Sequence, residues 1–198
     1  MTTKQATKGL ILVDFINEII DTQGKFAGHG YADFAQRHTT LERAATLLAK
    51  SRERGVMVFH IGLAFSSDYK EQPKQSPLFG AANIYGAVQS GTWSTEFHPL
   101  VTPSSGETVL TKHRVSAFYG TPLDLILRTN NISELLISGC ATDMAVQSTV
   151  RDAHDRDYQC TVIADCCAAA TDIDHSETVR MLAKVSKVLN LNDVLTLL

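Results

Sequence analysis

Six short apolar runs, rich in β-branched residues, recur along the chain and limit the folds open to it. Their apolar character is nearly continuous rather than alternating, which is typical of strands covered on both faces of a parallel sheet. The runs span Leu10–Val13, Val56–Ile61, Thr108–Leu110, Glu134–Ser138, Cys160–Ala164 and Val185–Leu189. They predict six strands at the centre of a layered α/β fold.

Helical patterns separate these runs. Leucines and alanines recur at helical spacing over Thr40–Arg54, which Gly55 follows as a terminator. Thr121-Pro122 predicts an N-cap and a first helical residue for a helix over Leu123–Arg128. The other two predicted helices span Thr142–Asp155 and Asp174–Ala183. Strand–helix alternation predicts a three-layer α/β/α, Rossmann-like fold whose six-stranded, mainly parallel sheet has right-handed crossovers.

A single domain over residues 1–198 accounts for the composition. The chain is 44% hydrophobic and 20% charged, with only 5 prolines, which is typical of a compact domain. A chain of this length buries roughly 70% of its unfolded surface, so it needs no disulfide or metal to hold it together. The four cysteines form no CxxC pair and are expected to be reduced. They are Cys140, Cys160, Cys166 and Cys167.

Charge and hydropathy indicate what kind of partner the chain binds. Its net charge is −3 and it contains no basic block, so we expect neither nucleic acid nor an anionic membrane surface as a partner. Its apolar runs are far shorter than the ~20 residues of a membrane span. The polar stretch Met1–Lys8 has no export-signal pattern. We therefore expect a cytoplasmic protein that acts on a small molecule.

The stretch from Gly62 to Gly106 does not follow the strand–helix alternation. It is rich in turns and prolines, and long excursions of this kind usually form lids or subunit contacts. It also carries apolar side chains that one sheet cannot cover. These are Leu78, Phe79, Ile84, Tyr85 and Trp93. The stretch predicts an assembly, either a homodimer or a homotetramer.

Charged residues follow two of the predicted strands. Asp14 ends the first run, and Lys112 closely follows the third. Ligands of open α/β sheets bind beyond the carboxyl ends of the strands, where such residues meet. A carboxylate and an ammonium in a partly desolvated site are suited to proton transfer. A solvated Asp14 and an unrelated surface Lys112 are the alternative, and the pattern alone leaves both open.

Three sequence blocks at the strand ends carry a family resemblance. They are Leu12-Val13-Asp14-Phe15, the block Lys112–Thr121 (KHRVSAFYGT) and the block Gly139–Val146 (GCATDMAV). Together they resemble the isochorismatase-like, or cysteine hydrolase, superfamily, which includes nicotinamidases, carbamoyl-amide hydrolases and isochorismatases. The family pattern also fits two later segments, Asp152–Tyr158 and Asp165–Ala169, so the likeness covers nearly the whole chain. It implies the isochorismatase-like hydrolase fold and a cofactor-free hydrolase.

The resemblance implies an Asp-Lys-Cys triad, of which Asp14 and Lys112 match. The nucleophile position falls on Ala145. It opens a helix, where unpaired N–H groups and the helix dipole would stabilise a thiolate. The N–H groups of Ala141 and Ala145 are expected to hold an oxyanion. By resemblance, a cis peptide bond joins Cys140 to Ala141.

Ala145 has three explanations. In the first, the protein lacks the thiol as isochorismatases do, and Asp14 cleaves a vinyl ether as a general acid without a covalent intermediate. In the second, the chain is a Cys→Ala variant at 145 of a cysteine amidohydrolase, of nicotinamidase or carbamoyl-amide type, that forms an acyl-enzyme. In the third, Cys140 is the nucleophile, although a buried small residue is the simpler interpretation. A non-catalytic, ligand-binding member is a further alternative.

Aromatic and basic residues near the strand ends are candidate substrate contacts. Phe118, Tyr119 and Trp93 are candidates for an apolar wall, and Arg114 for binding a carboxylate. Core packing for Phe118 and a structural ion pair for Arg114 are the alternatives. The full predicted set is Phe15, His60, Trp93, Arg114, Phe118, Tyr119 and Thr142.

We expect no metal site. Nicotinamidases resemble one another in an Asp-x-His motif after the second strand, whereas His60–Phe65 contains no carboxylate. Asp172, Asp174 and His175 have side chains that bind metals, but Asp174 is predicted to be a helix N-cap. Gly28-His29-Gly30 lacks the third glycine of a dinucleotide-binding motif.

Overall fold

Six parallel strands form one sheet at the centre of the structure, a computed structural model that describes residues 7–198. The strands are β1 (Thr7–Val13), β2 (Met57–Leu63), β3 (Thr108–Lys112), β4 (Ile132–Cys140), β5 (Gln159–Ala168) and β6 (Lys187–Leu189). Their spatial order is β3-β2-β1-β4-β5-β6, the Rossmann order. All six predicted strands are confirmed. Residues 1–6 of the polar N-terminal stretch Met1–Lys8 lie outside the described residues.

Eight α-helices are present within residues 7–198. They are α1 (Asn17–Ile20), α2 (Tyr31–Arg37), α3 (Thr40–Glu53), α4 (Ala82–Tyr85), α5 (Leu123–Thr129), α6 (Gln147–His154), α7 (Asp172–Leu182) and α8 (Leu191–Leu195). A π-helical turn, Thr142–Val146, leads directly into α6. Short 3-10 turns span Ala27–His29, Trp93–Thr95 and Pro99–Val101. In this same part of the chain, no helix combines the length and apolar character that a membrane span requires.

Two apolar layers cover the two faces of the sheet. Leu10 and Leu12 of β1 pack in one layer with α3, whereas Ile11 and Val13 pack in the other with α5 and α6. Successive residues of a strand point to opposite faces. Burial on both faces therefore explains why the apolar runs of the sequence are continuous.

Two predicted helix starts are corrected. Asp174 is not the N-cap of α7, because Thr171 holds that position and its hydroxyl accepts the Asp174 N–H at 3.1 Å. The Thr171 hydroxyl also donates to Asp174 Oδ2 at 2.6 Å. Helix α5 begins at Leu123, so Pro122 is its N-cap rather than its first residue.

Hydrogen bonds within the excursion hold its middle against the residues that follow β2. Phe65, just after β2, exchanges backbone hydrogen bonds with Val88 and Ser90 at 2.8 and 2.7 Å. Phe79, which the sequence predicted to need cover from a partner, is buried within its own chain. Ile84 and Tyr85 remain 75% and 66% exposed. The excursion thus supplies part of the cavity wall at the strand ends and several exposed apolar side chains.

Candidate active site

Asp14 and Lys112 form a buried ion pair at the carboxyl ends of β1 and β3. Asp14 Oδ2 lies 2.7 Å from Lys112 Nζ, and the two residues are 3% and 1% exposed. Asp14 follows β1 with a positive φ of 54°, and its N–H donates to the Ile61 carbonyl at 2.7 Å. The structure therefore brings together the two residues that the strand-end pattern singled out.

The surroundings of the pair shift the pKa of the Asp14 carboxyl in opposing directions, and the net effect is to raise it. Burial raises the pKa of Asp14, while the Lys112 ammonium and the N–H of Leu63 act against that shift. The Leu63 N–H donates to Asp14 Oδ1 at 2.8 Å. Lys112 also donates to the Arg114 carbonyl at 2.9 Å. A carboxyl held in this way can give up or accept a proton without leaving its position.

The turn after β4 places Ala145 beside this pair. The peptide bond between Cys140 and Ala141 is cis. The N–H groups of Met144 and Val146 donate to the Ala141 carbonyl at 3.2 and 3.1 Å. Ala145 lines the same cavity as Asp14 and Lys112. Its methyl group offers no nucleophile to a ligand in this cavity.

Of the four cysteines, Cys140 is the one that lines this cavity. It is fully buried. Burial, followed by the Asp14 and Asp143 carboxyls, raises the pKa of its thiol well above the ordinary value. The thiolate is the nucleophilic form of cysteine, so this environment disfavours Cys140 as a nucleophile.

Gly139 lets β4 approach β1 closely at the floor of the site. A Cβ at this position would lie 2.4 Å from the Val13 carbonyl oxygen. Any side chain would therefore push the two strands apart next to Asp14.

A cavity of about 200 Å³ opens beside the ion pair. Four of its lining residues, Asp14, His29, Tyr31 and Lys112, carry strongly polar side chains. The remaining lining residues are Ile19, Phe26, Leu63, Pro77, Leu78, Phe79, Val115, Cys140, Ala141, Met144 and Ala145. Strand ends thus supply one side of the cavity, and the segments 26–31 and 77–79 supply much of the other.

The seven predicted substrate contacts do not line this cavity. Phe15 is in the core, and the buried His60 hydrogen bonds through Nε2 to Glu107 at 2.9 Å. The Thr142 hydroxyl hydrogen bonds to the Ala168 carbonyl and to His175 Nδ1, each at 3.0 Å.

The other four contacts also lie outside the cavity wall. The Arg114 guanidinium donates to the carbonyls of Glu71 and His113 at 2.8 and 2.6 Å. Phe118 packs in the core layer that contains α5. Trp93 and Tyr119 are largely exposed. None of these four side chains is therefore placed to contact a ligand inside the cavity.

Sequence reasoning missed His29 and Tyr31. The signal that marks them is a cluster of aromatic and histidine residues, Phe26-Ala27-Gly28-His29-Gly30-Tyr31. Burial, reinforced by Cys140, Asp143 and Asp174, raises the pKa of Tyr31 to about 12. Its phenol therefore stays protonated near neutral pH.

The side chains near α7 whose type can bind metal ions make contacts with other residues instead. Asp172 pairs with Arg37 at 3.1 Å and with His38 at 2.6 Å. His175 bonds to Thr142 as described. Within residues 7–198, no group of three or more His, Cys, Asp or Glu side chains is arranged to hold a metal ion.

Comparison with known proteins identifies the family. Residues 9–193 match the Isochorismatase domain. The chain belongs to the isochorismatase family. Because relatives in this family are named as amidohydrolases, the chain is a hydrolase, as the resemblance implied.

Several relatives span most of the chain. It is 33% identical to a ureidoacrylate amidohydrolase, RutB, of Methylorubrum extorquens, over 80% of this chain and 68% of the relative. An isochorismatase family protein from Desulfovibrio vulgaris superposes with a TM-score of 0.84 at 29% identity, covering 96% and 99% of the two chains. N-carbamoylsarcosine amidase from Thermoplasma acidophilum superposes with a TM-score of 0.75 at 28% identity, covering 93% and 96%. The family fold expected from the sequence is confirmed.

Proposed function

We propose that this hydrolase cleaves a small vinyl ether or a related substrate by proton transfer from Asp14, with no covalent intermediate at position 145. One observation carries the proposal: the buried Asp14–Lys112 pair opens onto a cavity where Ala145 offers no nucleophile. A general acid is what vinyl-ether cleavage requires. Lys112 holds the charge of Asp14 and orients the substrate.

The reaction balances with water as the only co-reactant. Asp14 gives its proton to the terminal carbon of the double bond, which leaves an oxocarbenium ion. A water molecule adds to that ion and returns a proton to the Asp14 carboxylate. The resulting hemiketal collapses to a carbonyl compound and an alcohol. Lys112 stabilises the carboxylate during the interval in which it is ionised.

Replacing Asp14 with asparagine tests the assignment. Asp14→Asn keeps the size of the side chain and removes the titrating group, so we expect turnover to fall ~10²- to 10⁴-fold while binding persists. Asp155→Asn is the matched control, because the Asp155 side chain is 80% exposed on the surface. Near-normal turnover by Asp14→Asn would reject the assignment.

Amide hydrolysis is the second candidate, favoured by relatives named ureidoacrylate amidohydrolase and N-carbamoylsarcosine amidase. In Ala145→Cys, the thiol would add to the amide carbon and form a thioester. Asp14 would pass the thiol proton to the leaving amine, and water would then release the acid. The N–H groups of Ala141 and Ala145 are the proposed oxyanion donors.

Intact-mass spectrometry separates these alternatives. An acyl adduct formed only by Ala145→Cys on a small amide, with no vinyl-ether turnover by the unmodified chain, would favour the amidohydrolase. An adduct on Cys140 of the unmodified chain would contradict both candidates. A non-catalytic role would require that neither chain turns over any amide or vinyl ether.

The proposal extends to assembly, compartment and cofactors. We propose a homodimer or homotetramer built on the exposed apolar patch of Leu78, Ile84 and Tyr85. We place the enzyme in the cytoplasm, which fractionation of the source cells would test. We propose that it works without a metal or an organic cofactor, so dialysis against a chelator should leave its rate unchanged.

A further inference from the structure

The charge balance of the cavity restricts what it can bind. Lys112 is the only lysine or arginine in the cavity wall formed by residues 7–198. Its charge is balanced by Asp14, 2.7 Å away. Arg114, the carboxylate ligand that the sequence suggests, does not line the cavity, and its Nη1 donates to two backbone carbonyls. A substrate carboxylate would therefore enter without a free lysine or arginine to meet it.

Two polar side chains of the wall, in contrast, are available to a ligand. Tyr31 and His29 have ring centroids 6.4 Å apart and both line the cavity. Neither side chain has a hydrogen-bonding partner among residues 7–198, whereas Asp14 and Lys112 each have two. The protonated phenol of Tyr31 can donate a hydrogen bond to a carbonyl or ether oxygen. An uncharged polar group satisfies these partners without a counter-ion.

The rest of the wall suits an apolar body. Phe26, Leu78, Phe79 and Met144 are among the apolar side chains that line the same cavity as the two pairs of polar residues. A cavity of ~150 Å³ takes up benzene, so about 200 Å³ admits one ring or a chain of similar size. A charged group placed against such a wall would lose its hydration without compensation.

We propose that the cavity selects an uncharged substrate of about one ring's size, whose polar group is bound by Tyr31 and His29. This inference rests on the proposed function, because it places the substrate at the Asp14–Lys112 centre. It assigns recognition to the segment 26–31 and discriminates against carboxylate substrates. Tyr31 and His29 are therefore specificity-determining residues.

An isosteric pair of ligands tests the charge preference directly. Benzamide and benzoate have the same shape and differ in charge, so each is titrated calorimetrically into the unmodified full chain at millimolar concentrations. We expect benzamide to bind at least about 10-fold more tightly, because benzoate must bury its charge unpaired. Benzoate binding as tightly as benzamide, or binding of neither, would overturn the proposal.

Matched variants locate the contact. Tyr31→Phe removes one neutral hydrogen bond and should weaken benzamide binding about 2- to 12-fold. Tyr85→Phe makes the same change at an exposed tyrosine outside the wall and should leave binding unchanged. Equal affinities for Tyr31→Phe and the unmodified chain would refute the role of the phenol. Benzoate affinity that disappears in His29→Gln would show an anion site and overturn the charge preference.

Failure of this inference is distinguishable from failure of the proposed function. The titrations require no turnover, and Asp14→Asn tests the chemistry separately. An active enzyme that prefers methoxyacrylate to its neutral methyl ester would refute the substrate class and leave the role of Asp14 in place. Retained turnover in Asp14→Asn, together with tighter binding of benzamide than of benzoate, would refute the role of Asp14 and leave the substrate class in place.

Discussion

Removal of the Lys112 charge measures how strongly the fold depends on the buried ion pair. Lys112→Met keeps an unbranched apolar stem of similar length, so packing changes little, but Asp14 loses its counter-ion. At an effective dielectric constant of about 20, two unit charges 2.7 Å apart attract by ~6 kcal/mol. Desolvation offsets part of that attraction. Breaking a buried pair by removing one partner costs about 3–5 kcal/mol, which is the expected loss in unfolding free energy near neutral pH.

The deficit should depend on pH in a defined direction. In Lys112→Met, burial is no longer opposed by the ammonium, so the pKa of Asp14 rises further above its ordinary value. A carboxyl whose pKa is raised in the folded state stabilises that state fully below its unfolded pKa, about 3.9. That contribution is lost as pH rises through the folded value. The deficit relative to the unmodified chain should therefore grow from about pH 5 to about pH 8.

Urea unfolding followed by circular dichroism, at these two pH values, gives the required free energies. A double-mutant cycle adds Asp14→Asn and the double variant, which contains neither charge. We expect the double variant to recover at least about 2 kcal/mol relative to the sum of the single losses. Additive losses, or a deficit under about 1 kcal/mol that is the same at both pH values, would refute a strongly coupled buried pair.

Three further predictions concern the frame around the site. Gly139→Ala should destabilise the fold by about 1–3 kcal/mol in urea unfolding, because the new Cβ meets the Val13 carbonyl oxygen. Gly28→Ala is the control, because a Cβ at position 28 has open space around it. Thr171→Val should cost about 1 kcal/mol in the same assay through loss of the α7 N-cap, and an unchanged midpoint would argue against the cap. Ile84→Asp should lower the solution mass measured by light scattering, whereas an unmodified chain that is monomeric at micromolar concentration would contradict the proposed assembly.

The strands, and the strand-end positions of the two residues of the ion pair, were predictable because local sequence determines them. A strand buried on both faces needs a continuous apolar run, so β1 and β4 are visible without any knowledge of their neighbours. Asp14 and Lys112 stand where two such runs end, and parallel strands bring their carboxyl ends to one edge. The helix over Thr40–Glu53 was equally visible from its 3.6-residue period.

The substrate contacts were not predictable in the same way, because distant partners determine where those side chains point. Arg114 is held by the carbonyl of Glu71, 43 residues away, and His60 by Glu107, 47 residues away. No local pattern records such pairings. Tyr31 was missed for the same reason, since its position in the wall depends on the packing of a short helix, α2, that has no strong period of its own.

The two sides of the cavity come from different kinds of structure. Asp14 and Lys112 lie at strand ends that the whole sheet holds in register, and Gly139 allows β4 to pack closely against β1. Residues 26–31 include a 3-10 turn and the first residue of α2, and residues 77–79 belong to the excursion, so neither segment carries strand pairing. Exchanging these two segments for those of a relative should therefore change substrate preference without disturbing the proton-transfer pair, so that a single reaction centre can serve a range of substrates through loop replacement alone.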